Sequence, residues 1–264
     1  MNNVPVIQVN DLCAKYGERT VLWDITIAVK PREVRVVLGT SGCGKTTLLK
    51  SIIGLLKPSA GTVKLFGHEI HDIDDAETTA LLKQVGVLFQ NGALLGSLTI
   101  GQNVSLPLQM HSTLPADLVE DIVKQKLLQV GLPDVYGLYP RELSGGMRKR
   151  AALARALVLD PPLLFCDEPS AGLDPVTAAG IDELLLKIRD MFGITIVVIT
   201  HEILSIKKIA DTIIFLHDGR ILFDGPLDPA LAQSSGPVFD FFNRIERGYK
   251  TAQEQQRHLF TVEN

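Results

Sequence analysis

The stretch VRVVLGTSGCGKTTLLKSIIGLL, residues 34–56, runs from an unbroken apolar segment through a glycine-rich turn into an apolar segment with helical spacing. VRVVLG has the length of a buried strand ending at Gly39, and TTLLKSIIGLL reads as a helix stopped by Pro58. Between them, Gly39-Thr40-Ser41-Gly42-Cys43-Gly44-Lys45-Thr46 fits the spacing G-x-x-x-x-G-K-[ST]. Glycines let the backbone curl until successive N–H groups converge on a phosphate, and Lys45 adds a point charge toward it. The Thr46 hydroxyl is a hard oxygen donor suited to Mg²⁺. A strand, a cradle and a helix in this order place the chain among α/β folds that bind a nucleotide.

The rest of the chain agrees with that core. From Val6 to Val29 apolar and polar residues alternate (VIQVN, TVLWDITIAV), the pattern of paired antiparallel strands. GTVKLF and VGVLF read as further strands. Residues 114–130, LPADLVEDIVKQKLLQV, carry helical spacing and end at Gly131. A helix from Gly145 to about Leu159 precedes the strand LLFCDE. The amphipathic helix IDELLLKIRDMF, the strand ITIVVIT and a helix from about Glu202 follow, and IIFLHDGRILFDG reads as a hairpin around Asp218-Gly219. Strands alternating with helices imply a mainly parallel sheet covered on both faces. The expected organisation is one α/β unit over residues 1–235, with an antiparallel layer at its start and a helical insertion at about 91–150. A helical tail occupies 236–264.

Composition narrows the partners. Of 264 residues, 46% are hydrophobic and 21% charged, and the net charge of -4 disfavours a chain that binds nucleic acid by bulk electrostatics. Three scattered cysteines do not make a disulfide or metal framework and suggest a reducing compartment. The first twenty residues lack the basic and apolar regions of a signal peptide, and no apolar run reaches the roughly 18–20 residues of a bilayer span. A cytosolic location is expected. From Gln84 through Ala116 there is no Asp, Glu, Lys or Arg. That run is either core with tight turns or a docking surface for an apolar partner.

LLFCDE supplies what phosphate chemistry still needs. A buried strand ending in Asp167 places a carboxylate near the metal, and Glu168, on the other side-chain direction, can polarise an attacking water. The structural alternative is a helix cap before Pro169. Gln90 and His201 each follow an apolar strand; in an α/β sheet those strand ends are where ligands collect.

A second anion cradle stands at ELSGGMRKRAALARAL, residues 142–157. Ser144 and the amides of Gly145 and Gly146 open a helix whose N-terminus suits the outer face of a γ-phosphate. LSGGM, the P-loop, LLFCDE, SAGLD and His201 together resemble the ATPase subunit of an ABC transporter, a P-loop NTPase with a RecA-like core, an antiparallel β subdomain and an inserted α-helical subdomain. The resemblance covers the chain to about residue 235. It implies that two copies pair head to tail, each signature loop covering the ATP on the partner's P-loop. It further implies that Tyr16 stacks on adenine, that Gly39, Thr40, Ser41, Gly42, Cys43, Gly44, Lys45, Thr46 and Thr47 hold the phosphates, and that Thr46, Gln90 and Asp167 meet Mg²⁺. Glu168 is then the base, with Lys45, Gln90 and His201 also catalytic. Ser144, Gly145 and Gly146 act in trans, and Asp174 sits in the loop that crosses the dimer. This chain departs from the family pattern at Met147-Arg148-Lys149-Arg150, where Gln is common, and in Ser170-Ala171-Gly172-Leu173, which lacks a second Ser.

VLFQNGALLGSLTIGQNVSLPL, with ELSGGMRKRAALARAL, is similar to the ATPases of MCE-type lipid transporters such as the Mla phospholipid system. That similarity implies a permease dimer, an MCE-domain lipid-binding protein and, in several systems, a small STAS-domain subunit, at the cytoplasmic face of a bacterial inner membrane. Val238, Phe241, Phe242, Ile245 and Tyr249 stand at helical spacing in the tail, which either packs on its own core or reaches a neighbouring subunit through Leu259-Phe260. Cys43 is either a thiol whose thiolate the loop amides favour or a small filler. An iron–sulfur scaffold ATPase would share every catalytic motif, a P-loop kinase only Gly39 to Thr46.

Overall fold

The computed structural model describes residues 4–243. Two sheets form. The first is antiparallel, in the order β2-β1-β4-β5, from β1 (Ile7–Tyr16), β2 (Arg19–Val29), β4 (Ala60–Leu65) and β5 (His68–Glu69). The second runs β10-β9-β3-β8-β7-β6, from β3 (Val34–Gly39), β6 (Val85–Leu88), β7 (Leu163–Asp167), β8 (Thr195–Ile199), β9 (Thr212–His217) and β10 (Arg220–Pro226). Its pairs are parallel except the β9–β10 hairpin, which turns at Asp218 and Gly219, both at positive φ. Positive φ at both central residues matches the twist of the flanking strands.

The continuous apolar runs are buried on both faces, as a central parallel strand must be. Every residue of β3 and β8 is buried. Val34, Val36 and Leu38 pack into the core under the helices, while Val37 faces the second core, shared with the antiparallel sheet and α1 (Lys45–Ile52). Each such side chain contributes roughly 1.5–3 kcal/mol when removed from water. Register then aligns the strand ends. Val37 pairs with Ile199 and Ile199 with Asp167, so the chain segments after β3, β7 and β8 emerge at one level.

The helices are α1, α2 (Asp75–Leu82), α3 (Ile100–His111), α4 (Ala116–Gln129), α5 (Gly145–Ala156), α6 (Pro175–Phe192), α7 (Ile203–Ile209) and α8 (Leu227–Leu231). Helices α3, α4 and α5 pack on one another beside the parallel sheet. Several boundaries differ from the sequence reading. Helix α1 stops at Ile52 instead of running to Pro58, because Gly54 turns to φ 78 and Leu55 N–H closes onto the Lys50 carbonyl at 2.8 Å. Helix α6 begins six residues before Ile181, at Pro175, capped by Asp174. The charge-free run holds β6 and then α3, whose start is set by a capping box of Thr99 and Gln102. Asn103, fully buried, pins the intervening loop by accepting from Leu95 N–H and donating to the carbonyls of Leu95, Leu98 and Thr99. Residues 237–243 are helical and lay Val238 and Phe242 into the main core, with Phe241 edge-on to Phe215 at 5.5 Å. Ile245, Tyr249, Leu259 and Phe260 lie outside the described residues.

Candidate nucleotide site

The cradle between β3 and α1 depends on glycine where the backbone is crowded. Gly39 lies at φ 149, and a Cβ there would stand 2.0 Å from the Leu216 carbonyl oxygen of β9. Gly44, at φ 108, packs beneath Leu22 and is the residue preceding α1. The loop's N–H groups thus stay at the positive end of α1, where an anion is favoured. Lys45 folds back over the loop, its Nζ donating to the carbonyls of Gly39 at 3.0 Å and Thr40 at 3.1 Å.

The other strand ends bring the chemistry. A cavity of about 730 Å³ is lined by Gly39, Thr40, Ser41, Gly42, Gly44, Lys45, Thr46 and Thr47 of the loop together with Gln90, Asp167, Glu168 and His201. Glu168 is buried and held at φ 47, a left-handed conformation costly for a residue with a side chain. Its N–H donates to the Ile199 carbonyl at 2.8 Å. One carboxylate oxygen lies 2.7 Å from His201 Nδ1, and the other accepts from the Thr200 hydroxyl at 3.2 Å. Burial and then the neighbouring Glu168 charge push the Asp167 carboxyl up from its ordinary value. A divalent cation would offset both causes. Thr46, Gln90 and Asp167 offer hard oxygen donors on one wall, which fits Mg²⁺ sharing phosphate and water ligands. Among the described residues no cluster of three or more His, Cys, Asp or Glu could hold a metal alone.

The signature lies elsewhere. Ser144 is exposed and caps α5 by accepting from Met147 N–H at 3.3 Å, leaving Gly145 and Gly146 in the first turn. A Cβ at Gly146 would stand 2.4 Å from Thr177 Cγ2, and one at Gly145 3.3 Å from Leu173, so this turn packs tightly on the loop and helix after β7. Asp174 accepts from the N–H groups of Val176 and Thr177 at 3.1 and 3.0 Å, and the Thr177 hydroxyl first, then these N–H groups, hold its carboxyl below its usual range. None of Ser144, Gly145, Gly146 and Asp174 lines the cavity of its own chain.

Two residues named from the sequence, Cys43 and Tyr16, are not among those that line the cavity. Cys43 is buried beneath the loop, and burial pushes its thiol up despite the Lys45 charge and the backbone N–H bonds, so the structure favours the filler over the thiolate. Tyr16, at the end of β1, is 47% exposed and stands outside the cavity lining. Sequence reasoning missed Phe241, which lines the cavity from the tail, and gave Lys149 no role. Phe241 belonged to a visible apolar stripe. Lys149 shares the buried stripe of Gly146 and Leu153, so a cation on the inward face of α5 was the signal.

A parallel sheet whose strand ends gather a P-loop, an acidic pair, a glutamine and a histidine defines a nucleotide-binding cassette of the P-loop class. The chain belongs to the ABC transporter family, whose profile matches residues 22–171. It is 36% identical to the intermembrane phospholipid transport system ATP-binding protein MlaF of Haemophilus influenzae, over 98% of this chain and 99% of that one. It is 40% identical to the probable ribonucleotide transport ATP-binding protein mkl of Mycobacterium tuberculosis, over 90% of this chain but only 66% of mkl. The methionine import ATP-binding protein MetN 3 of Pectobacterium atrosepticum is 37% identical over 84% of this chain and 65% of its own length. Among solved structures, the cassette MJ0796, dimeric and bound to ADP and Pi, superposes with a TM-score of 0.77 at 31% identity, covering 84% of this chain and 98% of that one. The cbiO1 subunit of Clostridium perfringens, part of an ABC transporter complex, gives 0.81 at 28% identity over 99% and 100%.

Proposed function

We propose that this chain hydrolyses ATP for an ABC transporter, as one of two copies that close head to tail on two ATP molecules. The observation that carries the reading is the separation of the two cradles: the P-loop lines one cavity with the acids, and Ser144, Gly145 and Gly146 do not line it. In this reading the P-loop amides and Lys45 hold the phosphates, Thr46, Asp167 and Gln90 meet Mg²⁺, and Tyr16 meets the adenine. Glu168 takes a proton from the attacking water, with His201 orienting it. Ser144, Gly145 and Gly146 cover the partner's γ-phosphate, and Asp174 crosses beside them. Mg²⁺ held there would neutralise part of the phosphate charge.

The transported substrate is a lipid, by our reading a phospholipid, since the similarity to MlaF runs the length of both chains, whereas mkl and MetN 3 are matched over about two thirds. The charge-free run supports a permease contact. Beside it a groove of about 420 Å³ is lined by Val85, Val87, Phe89, Ala93, Pro107 and Arg155 among others, and Phe89 and Met110 are exposed. A groove lined in part by this run suits a cytoplasmic segment of a permease dimer. In this reading the chain sits on the permease at the cytoplasmic face of the inner membrane, the permease works with an MCE-domain protein and, as in several such systems, a small STAS-domain subunit, and nucleic acid has no part in the assembly. No helix among the described residues is long and apolar enough to cross a membrane. A second reading, another substrate, is favoured by the higher identity to mkl. Detergent pull-down decides between them: recovery of a permease with an MCE-domain protein supports lipid, and a permease alone with a periplasmic solute receptor contradicts it.

A further inference from the structure

Lys149 sits one turn into α5, the helix that opens at the signature, and it is only 7% exposed. Among the described residues its ammonium has no carboxylate side chain within ion-pair distance. It donates to the backbone carbonyl of Gln90 and, at 2.9 Å, to that of Glu168. Burial pushes this ammonium down, and the facing charges of Glu168 and Asp167 work against that. Its neighbours make ordinary ties, Arg148 to the Leu143 carbonyl at 2.7 Å and Arg150 to that of Val130 at 3.0 Å. Lys149 alone joins two segments that line the cavity.

The Glu168 peptide is held at both ends. Its N–H meets the Ile199 carbonyl of β8, and its carbonyl is met by Lys149 and by the Ala171 N–H at 3.2 Å. A side-chain-bearing residue at φ 47 keeps that conformation only where its surroundings impose it. We propose that Lys149 is a positioning residue for hydrolysis: it fixes the backbone of Glu168 and Gln90 so that both side chains aim into the cavity. Because the same helix presents Ser144–Gly146 to the partner's ATP, Lys149 also makes each catalytic centre sensitive to how α5 is seated on the other nucleotide. This rests on Glu168 being the base, as proposed above.

The test compares Lys149→Met, Lys149→Arg and Glu168→Gln in the full-length chain, measuring kcat and KM for ATP, affinity for a fluorescent ATP analogue, and melting temperature. Lys149→Met keeps the length of the side chain without its donors. Turnover is expected to fall about 10- to 100-fold while KM and analogue affinity stay within about twofold, and Lys149→Arg restores most of it. Unchanged turnover in Lys149→Met overturns the proposal. So does a parallel loss of turnover, affinity and melting temperature that Lys149→Arg does not repair, since that marks a purely structural tie. If Lys149→Met does not fold, Lys149→Leu, which also lacks donors, reads the same way: full turnover overturns, selective loss of kcat supports. Glu168→Gln hydrolysing at the parent rate would sink the base assignment instead, and the proposal with it.

Discussion

Gly39 shows how little tolerance the cradle has. Its missing side chain leaves 2.0 Å of room before the Leu216 carbonyl, a rigid backbone neighbour, and its φ of 149 suits glycine alone. Gly39→Ala is expected to destabilise the fold by about 3 kcal/mol and to abolish binding of an ATP analogue, read by denaturant melts and fluorescence titration. Ordinary affinity in that variant would mean the loop relaxes. Glu168→Gln keeps shape and removes basicity, so turnover should drop by about 10²- to 10⁴-fold with nucleotide still bound. At this scale the motif letters pointed to the loop that lines the cavity, because glycine and lysine at fixed spacing have few other uses. The two readings of Cys43 stayed open because burial, which pushes the thiol up, is not reported by sequence spacing. Lys149 stayed hidden because its partners are carbonyls of residues 59 and 19 positions away in the chain.

Helices carry the next set of couplings. Gly146 of α5 lies against Thr177 of α6, and Asp182 of α6 accepts from the Ser205 hydroxyl of α7 at 2.8 Å in a fully packed setting. The loops before these three helices hold the signature, Asp174 and His201 respectively, so the joints hold the three loops in fixed relation. Adding a methyl at Gly146 forces Thr177 to turn or α5 to lift. Gly146→Ala should therefore lower ATP turnover far more than nucleotide affinity in the same chain, and equal losses of both would argue that the signature belongs to its own chain's site. Burial pushes the Asp182 carboxyl up, with the Ser205 hydroxyl and Lys208 opposing and Glu183 and Glu202 adding to the rise. The folded chain then holds this proton more firmly than the unfolded one, so stability from this group is present at acid pH and lost as pH rises through the carboxylate range. Asp182→Asn keeps the acceptor without the charge. Its melting temperature relative to the parent should climb between about pH 4 and pH 7, and a difference independent of pH would contradict the assignment. Strands and amphipathic helices were legible from their periods. Helix α3 was not, since Pro107 and the absence of charge disguise a helix whose start is fixed by Thr99 and Gln102.

The described residues form a mainly parallel sheet with the antiparallel layer, α1 and α2 on one face and the remaining core helices on the other, and the candidate catalytic groups collect beyond the carboxyl ends of its strands. That much followed from the alternation of strand and helix, because buried parallel strands cannot be built otherwise. What single-chain periodicity could not give was where α5 points, which the packing of Gly145 and Gly146 on the segment after β7 decides. The signature residues do not line their own chain's cavity, and the proposed function assigns them to a second copy. Sedimentation of Glu168→Gln with ATP, beside Glu168→Gln combined with Ser144→Arg, tests this most directly. The single variant should sediment as a dimer holding two nucleotides, and the double variant as a monomer that still binds ATP. A double variant that remains dimeric, or a single variant that stays monomeric with saturating ATP, would contradict the shared site.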